Sequence, residues 1–158
     1  MRTVKLFTDG ACCGNPGPGG WAVVCNVGNR CRVLSGSNPD TTNNRMELLA
    51  VIKALEKINN SHKYNVRYEI HSDSNYVVNT IQLKWIYNWR MKQWKTTKGD
   101  PVKNADLWER CYNLLTLIRN KQKEVQFIKV KGHAGNPLNE YADKVAREQA
   151  RKVSRSWP

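Results

Sequence analysis

The sequence predicts an α/β layered domain, a mixed five-stranded sheet with helices on its faces. Three observations lead there. Thr3–Thr8 alternates along a strand, and β-branched runs flank Gly28-Asn29, a dipeptide that signs a hairpin. Further along, helical and strand periodicities take turns, the pattern of a sheet covered by helices. The 158 residues fit one domain with one core, undivided by repeats or low-complexity linkers.

The first strand, Thr3–Thr8, ends at Asp9. Gly10–Gly20, with five glycines and two prolines, reads as turn and loop. Trp21–Val27 and Arg30–Ser35 are strands two and three. A two-residue loop between them pairs residues 26 and 31, and a three-residue loop sets Cys25 opposite Cys31. From Glu47, the apolar positions Leu48, Val51, Ile52, Leu55 and Ile58 recur at helical spacing behind the capping residues Thr41, Thr42, Asn43 and Asn44. Val66–Ile70 is a strand with Asp73 just past its end, and Ser74–Gln82 a short helix. Asn104–Ile118 is helical through Leu107, Cys111, Leu114, Leu115 and Ile118, Val125–Val130 is the last strand, and Leu138–Arg151 the terminal helix. The expected domain is 1–158, with a core of about 3–150 and a short basic tail over 151–158.

Composition narrows the function. Hydrophobic residues at 40% and charged residues at 25% exclude a disordered or fibrous chain. Lys and Arg number 26 against 13 Asp and Glu, a net +13 that predicts a polyanionic partner. No long amphipathic basic helix points to a membrane surface, so nucleic acid is favoured. The longest apolar runs, Trp21–Cys25 and Leu48–Ile52, are five residues each. That is far short of the roughly 18 a membrane span needs. Met1–Asp9 lacks the apolar segment of a secretory signal, so a cytoplasmic location is expected. Cys12, Cys13, Cys25, Cys31 and Cys111 form no CxxC pair and no zinc-like spacing, and read as reduced thiols.

In a chain this basic the acids are informative, because carboxylates brought to a polyanion repel it unless a cation lies between. Asp9 and Asp73 each stand at a strand end, and on neighbouring strands about 4.8 Å apart one ion touches both. Alone, each also reads as a turn or helix cap. Glu47 borders the buried stripe of its helix and leans toward the sheet. Asp143 lies in the terminal helix, where a solvated face is the plain alternative. His133 sits in a loop between Gly132 and Gly135, and its ordinary pKa near 6.5 suits proton transfer around neutrality.

Five strings then coincide: Phe7-Thr8-Asp9-Gly10-Ala11, Gly14-Asn15-Pro16-Gly17, Thr41-Thr42-Asn43-Asn44-Arg45-Met46-Glu47, Ser72-Asp73-Ser74-Asn75-Tyr76-Val77 and Val130-Lys131-Gly132-His133-Ala134-Gly135. In order and spacing, from about Thr3 to Ala150, the chain resembles ribonuclease H of type 1. The resemblance implies the ribonuclease H-like fold, with helices on both faces of the sheet. It implies an endonuclease that hydrolyses the RNA strand of RNA/DNA hybrids to 5′-phosphate and 3′-hydroxyl ends. It makes Asp9, Glu47, Asp73 and Asp143 the ligands of two magnesium ions, with manganese as the alternative, and His133 the catalytic histidine. Magnesium takes hard oxygen ligands, and two ions roughly 3.5 to 4 Å apart clamp attacking and leaving oxygens.

For the RNA strand the resemblance implies contacts from Asn15, Asn43 and Asn44 to 2′-hydroxyls, beside Cys12 and main-chain groups near Gly10 and Ala11. Thr42 and Asn75 match the family's pocket for a DNA phosphate, while Asp40 stands where some members carry an arginine. The stretch Lys84–Lys103 matches the family's basic handle, in which Lys84, Lys92 and Lys95 meet the DNA strand beside Trp85 and Trp94. Trp85 and Trp89, spaced i, i+4, are expected to pack in the core. The handle favours a stand-alone cellular or phage enzyme, and a monomer with no obligate protein partner is expected. The alternatives are a non-catalytic nucleic-acid module, which has no use for four acids and a histidine, a related nuclease acting on DNA junctions or transposon ends, and a domain cut from a reverse-transcriptase polyprotein.

Overall fold

The computed structural model describes residues 1–131 and 135–156. Five strands, β1 (Arg2–Cys12), β2 (Gly17–Val27), β3 (Arg30–Thr41), β4 (Val66–Ser72) and β5 (Glu124–Lys129), form one sheet in the order β3-β2-β1-β4-β5. The β1–β2 and β2–β3 pairs are antiparallel, and β1–β4 and β4–β5 are parallel. The sheet is mixed because hairpins join the first three strands and helical crossovers the rest. The hairpin closes over two residues, Gly28 and Asn29, so Asn26 pairs with Cys31 and Cys25 with Arg32.

The helices are α1 (Asn43–Asn60), α2 (Asn75–Gln82), α3 (Trp85–Met91), α4 (Ala105–Asn120) and α5 (Pro137–Ser156). Strand alternation divides the core between two faces. Val4, Leu6, Val23 and Cys25 pack with the α1 stripe of Leu48, Val51, Ile52, Leu55 and Ile58, and with Trp108 and Cys111 of α4. Phe7 and Val24, of the opposite parity, pack with Ala142 and Leu138 of α5. Both faces of the sheet are thus covered. A side chain at Gly20 would collide with the backbone of α5 at Ala146, so this glycine sets how closely α5 lies on β2.

Several boundaries differ from the sequence reading. Gly10–Gly20 is mostly strand, since β1 runs on to Cys12 and β2 begins at Gly17, with Gly10 opposite Trp21 and Ala11 opposite Gly20. Asp9 therefore lies inside β1 rather than closing it. Likewise β3 continues past Ser35 to Thr41. Thr42 is the N-cap of α1, its hydroxyl accepting from the Arg45 amide, so Asn43 and Asn44 are helical and Glu47 stands in the second turn. The basic tail is no tail over 151–156, because α5 extends to Ser156. All five cysteines are free thiols.

Candidate active site

The parallel pairing of β1 with β4 sets Thr8 opposite Ser72, so Asp9 and Asp73 follow side by side at one end of the sheet. The second turn of α1 delivers Glu47 to the same place. A Cβ at position 10 would strike the backbone of Met46 and Glu47, so glycine there is what admits the helix. Carboxylate oxygens of Asp9, Glu47 and Asp73 all lie within 4.8 Å of one another. Three separate elements build this cluster, and burial makes it unusual: Asp9 is 3% exposed.

Buried carboxylates this close cannot all ionise in the absence of a cation. Desolvation, and then the charges of Asp73 and Asp143, push the Asp9 carboxyl up to about 7, against the hydrogen bonds it accepts from Glu47 and from the Gly10 amide. Glu47 is raised well above the usual carboxylate range by burial and by the neighbouring charge of Asp9. The two acids crowd each other, and Glu47 Oε2 is buried with no hydrogen-bond partner among the described residues. An orphaned acceptor among hard oxygen donors suits a divalent cation of the magnesium or manganese kind, and does not suit a soft metal.

Asp143 stands apart from the three-acid group. It lies on α5, next to the Ala142 that packs on Phe7 and Val24, and its carboxylate pairs with Arg147 one turn on, at 3.0 Å. Its charge still reaches Asp9. His133 lies outside the described residues.

The residues expected to touch substrate fall in two places. Around α1's N-terminus, Asn15 Oδ1 accepts from the Asn43 amide at 3.1 Å, and Asn43, Asn44 and Asn75 are exposed. Thr42 is occupied as the helix cap, and the Cys12 thiol faces the carbonyl oxygens of Gly17 and Thr41 at 3.3 Å each. Asp40 is exposed, its amide donating to Asn38 Oδ1. The second place is the handle, where Lys84, Lys92, Lys95 and Lys98 are all exposed. Trp85 is not in the core: α3 starts at this residue, which is 44% exposed, while Ile86 takes the buried position. Trp89 packs edge-on against buried Trp108, and Trp94 against Tyr112.

Sequence reasoning missed the ties between these places. Arg45 grips Asp106 through both terminal nitrogens and also donates to Asn104, whose amide, like the Trp108 indole, donates to the Tyr76 hydroxyl. No local spacing signals contacts across 28 to 61 residues. Arg147 was findable, as an Asp-to-Arg pair at i, i+4 on a helix.

Comparison with known proteins agrees with this architecture. Residues 1–151 match the family described as RNase H. Ribonuclease H of Nitratidesulfovibrio vulgaris (strain DSM 19637 / Miyazaki F) is 49% identical over 150 residues, covering 95% of this chain and 90% of the relative. Ribonuclease HI of Caulobacter vibrioides is 47% identical over 151 residues, covering 96% and 95%. Among solved structures, LC9-RNase H1, described as a type 1 RNase H with the type 2 active-site motif, superposes with a TM-score of 0.79 at 30% identity, covering 97% of this chain and 74% of that one. LC11-RNase H1, solved in complex with an RNA/DNA hybrid, shares the fold with a TM-score of 0.71 at 23% identity, covering 96% and 99%. A mixed sheet that brings acids from β1, α1 and the end of β4 together defines an α/β enzyme with a carboxylate site for a divalent cation. The chain belongs to the ribonuclease H family.

Proposed function

We propose that this chain is a single catalytic domain over 1–158 that hydrolyses the RNA strand of RNA/DNA hybrids, leaving 5′-phosphate and 3′-hydroxyl ends. The observation that carries the reading is the cluster of Asp9, Glu47 and Asp73, three half-buried or buried acids within 4.8 Å on a chain of net charge +13. Asp9, Glu47, Asp73 and Asp143 would hold two magnesium ions, with manganese as the alternative. Bound there, the ions supply Lewis acidity for the attacking water and the departing 3′ oxygen. The protein's own part is to assemble the acids in a dry setting and to present the strand to them.

Asn15, Asn43 and Asn44 read the RNA strand through its 2′-hydroxyls, since amides both donate and accept. The exposed Asn43 and Asn44 side chains support this, as does the Asn15–Asn43 bond, which holds the loop against the helix. Main-chain groups near Gly10 and Ala11 lie beside the acids, and the hydroxyl of Thr42 with Asn75 receives a DNA phosphate. Lys84, Lys92 and Lys95, flanked by Trp85 and Trp94, hold the DNA backbone. His133 moves a proton or speeds product release. The five free thiols suit a reducing cytoplasm, where the enzyme would act as a monomer. Among the described residues no helix is long and apolar enough to cross a membrane.

Incubation with labelled hybrid, duplex RNA and duplex DNA, in magnesium or in chelator, tests the reading. Cleavage of the RNA strand of the hybrid alone, abolished by chelator, is the expected result. Equal cleavage of all three, or none of the hybrid, overturns it.

A further inference from the structure

α5 crosses the sheet so that Ala142 rests on Phe7 and Val24, two side chains at the end of the sheet where Asp9 follows Phe7 by two residues. Asp143 is thereby carried toward the acidic cluster, yet among the described residues the group whose ligand atoms lie within 4.8 Å of one another is Asp9, Glu47 and Asp73. The fourth carboxylate is engaged elsewhere: Arg147 Nη2 lies 3.0 Å from Asp143 Oδ2, with the two side chains 51% and 25% exposed. Arg147 has no other acid within salt-bridge distance among the described residues.

The neighbours explain why a cation belongs at this point. Ligand oxygens of Asp9, Glu47 and Asp73 already lie within 4.8 Å of one another, and the charge of Asp143 adds to the repulsion on Asp9. A guanidinium fixed one helical turn away offsets that repulsion and gives Asp143 a partner when no metal is present. The same guanidinium then competes with any divalent ion that needs Asp143.

We infer that Arg147 is a positioning residue that holds the fourth carboxylate in reserve and sets the metal affinity of the site, so that full occupancy requires the ion to displace Arg147 from Asp143. Arg147 touches neither metal nor substrate in this role. It acts through Asp143, and the inference rests on the assignment of Asp143 as a metal ligand. Its consequence is regulatory: the complete set of ligands assembles only when free divalent cation is abundant enough to win the competition.

Magnesium binding to the protein alone, without nucleic acid, is measured by titration calorimetry for the wild type, Arg147→Gln, Arg147→Lys, Asp143→Asn and the double variant Asp143→Asn with Arg147→Gln. Arg147→Gln should tighten magnesium binding about threefold or more, the scale of a partly exposed ion pair. Arg147→Lys, keeping the charge, should change it less. In the Asp143→Asn background the glutamine substitution should have no effect, because the coupling between the two positions is what is being removed. The magnesium concentration for half-maximal cleavage should fall in parallel. Unchanged or weaker binding in Arg147→Gln overturns the inference, as does an equal gain in both backgrounds, which would mean a general field effect. If Asp143→Asn alone leaves magnesium affinity untouched, the assignment of Asp143 as a ligand fails first, and the two failures are told apart.

Discussion

The acidic end of the sheet and the basic handle are built by opposite means. Asp9 and Glu47 hang from β1 and α1, Asp73 directly follows the last residue of β4, and Asp9 is buried while the other two are half-buried. The handle around α3 is exposed and irregular, with Lys84, Gln93, Trp94 and Asn104 all at positive φ, a conformation that costs non-glycine residues roughly 1 kcal/mol each. Chemistry at a phosphodiester needs charges held in fixed places, which strand pairing and helix packing provide. Contacts to backbone phosphates position a strand and need only charge within reach, a demand that exposed lysines on an irregular loop would meet.

That contrast can be broken or sharpened by experiment. Asp73→Asn should lower hybrid cleavage by at least about 10³-fold while melting temperature and hybrid binding stay near wild type, because the amide keeps the shape and loses the charge that holds a cation. Normal turnover in magnesium would remove the distinction between the two regions. His133→Ala should sit between them, with turnover reduced by about 10²-fold and magnesium affinity retained. A variant as inactive as Asp73→Asn would assign the histidine to the cation site itself.

Stability against pH separates the regions without any turnover. The Asp9 carboxyl is raised to about 7 in the folded protein from an ordinary value of 3.8, so between those values the folded state binds a proton that the unfolded chain has released. Stability is then full below the unfolded value and falls as pH rises through the folded one. In chelator, unfolding free energy should drop by about 4 kcal/mol from pH 4 to pH 8 through this group, magnesium should restore it, and Asp9→Asn should flatten the slope. Denaturant titrations at several pH values would show this, and a slope unchanged by Asp9→Asn would mean that burial does not govern the cluster. The smallest effect is expected at the handle. Neutralising Lys84, Lys92, Lys95 and Lys98 together should raise KM about tenfold with little change in kcat, and flatten the salt dependence of binding by a slope of up to about 0.9 per lost contact. An unchanged salt slope would spread the binding charge over the whole surface.

How much was legible follows the same division. Leu48, Val51, Ile52, Leu55 and Ile58 announced α1 by their spacing, and all five are buried. The strand that carries Asp9 and the strand that precedes Asp73 are neighbours as expected, although β1 does not close at Asp9 but runs on to Cys12. The far halves of β1 and β3 were not legible. Ala11 and Cys12 next to glycines, and Gly36 to Asp40, carry turn-like composition, and they are strands only because β2 lies beside them. Trp85 misled for a related reason: its spacing from Trp89 is helical, but α3 buries Ile86 instead. The Arg45–Asp106–Asn104–Tyr76 ties were beyond reach, since nothing local distinguishes these polar residues from surface ones.

Gly10 gives the acidic end its tolerance. With no side chain between them, β1 and α1 touch main chain to main chain beside Asp9 and Glu47, so the span between those two carboxylates is gauged by the least adjustable parts of a protein. Repacking the core elsewhere leaves that span alone. A single methyl group at position 10 must lift the helix and widen it, which makes the smallest residue in the neighbourhood the calibration of the whole site.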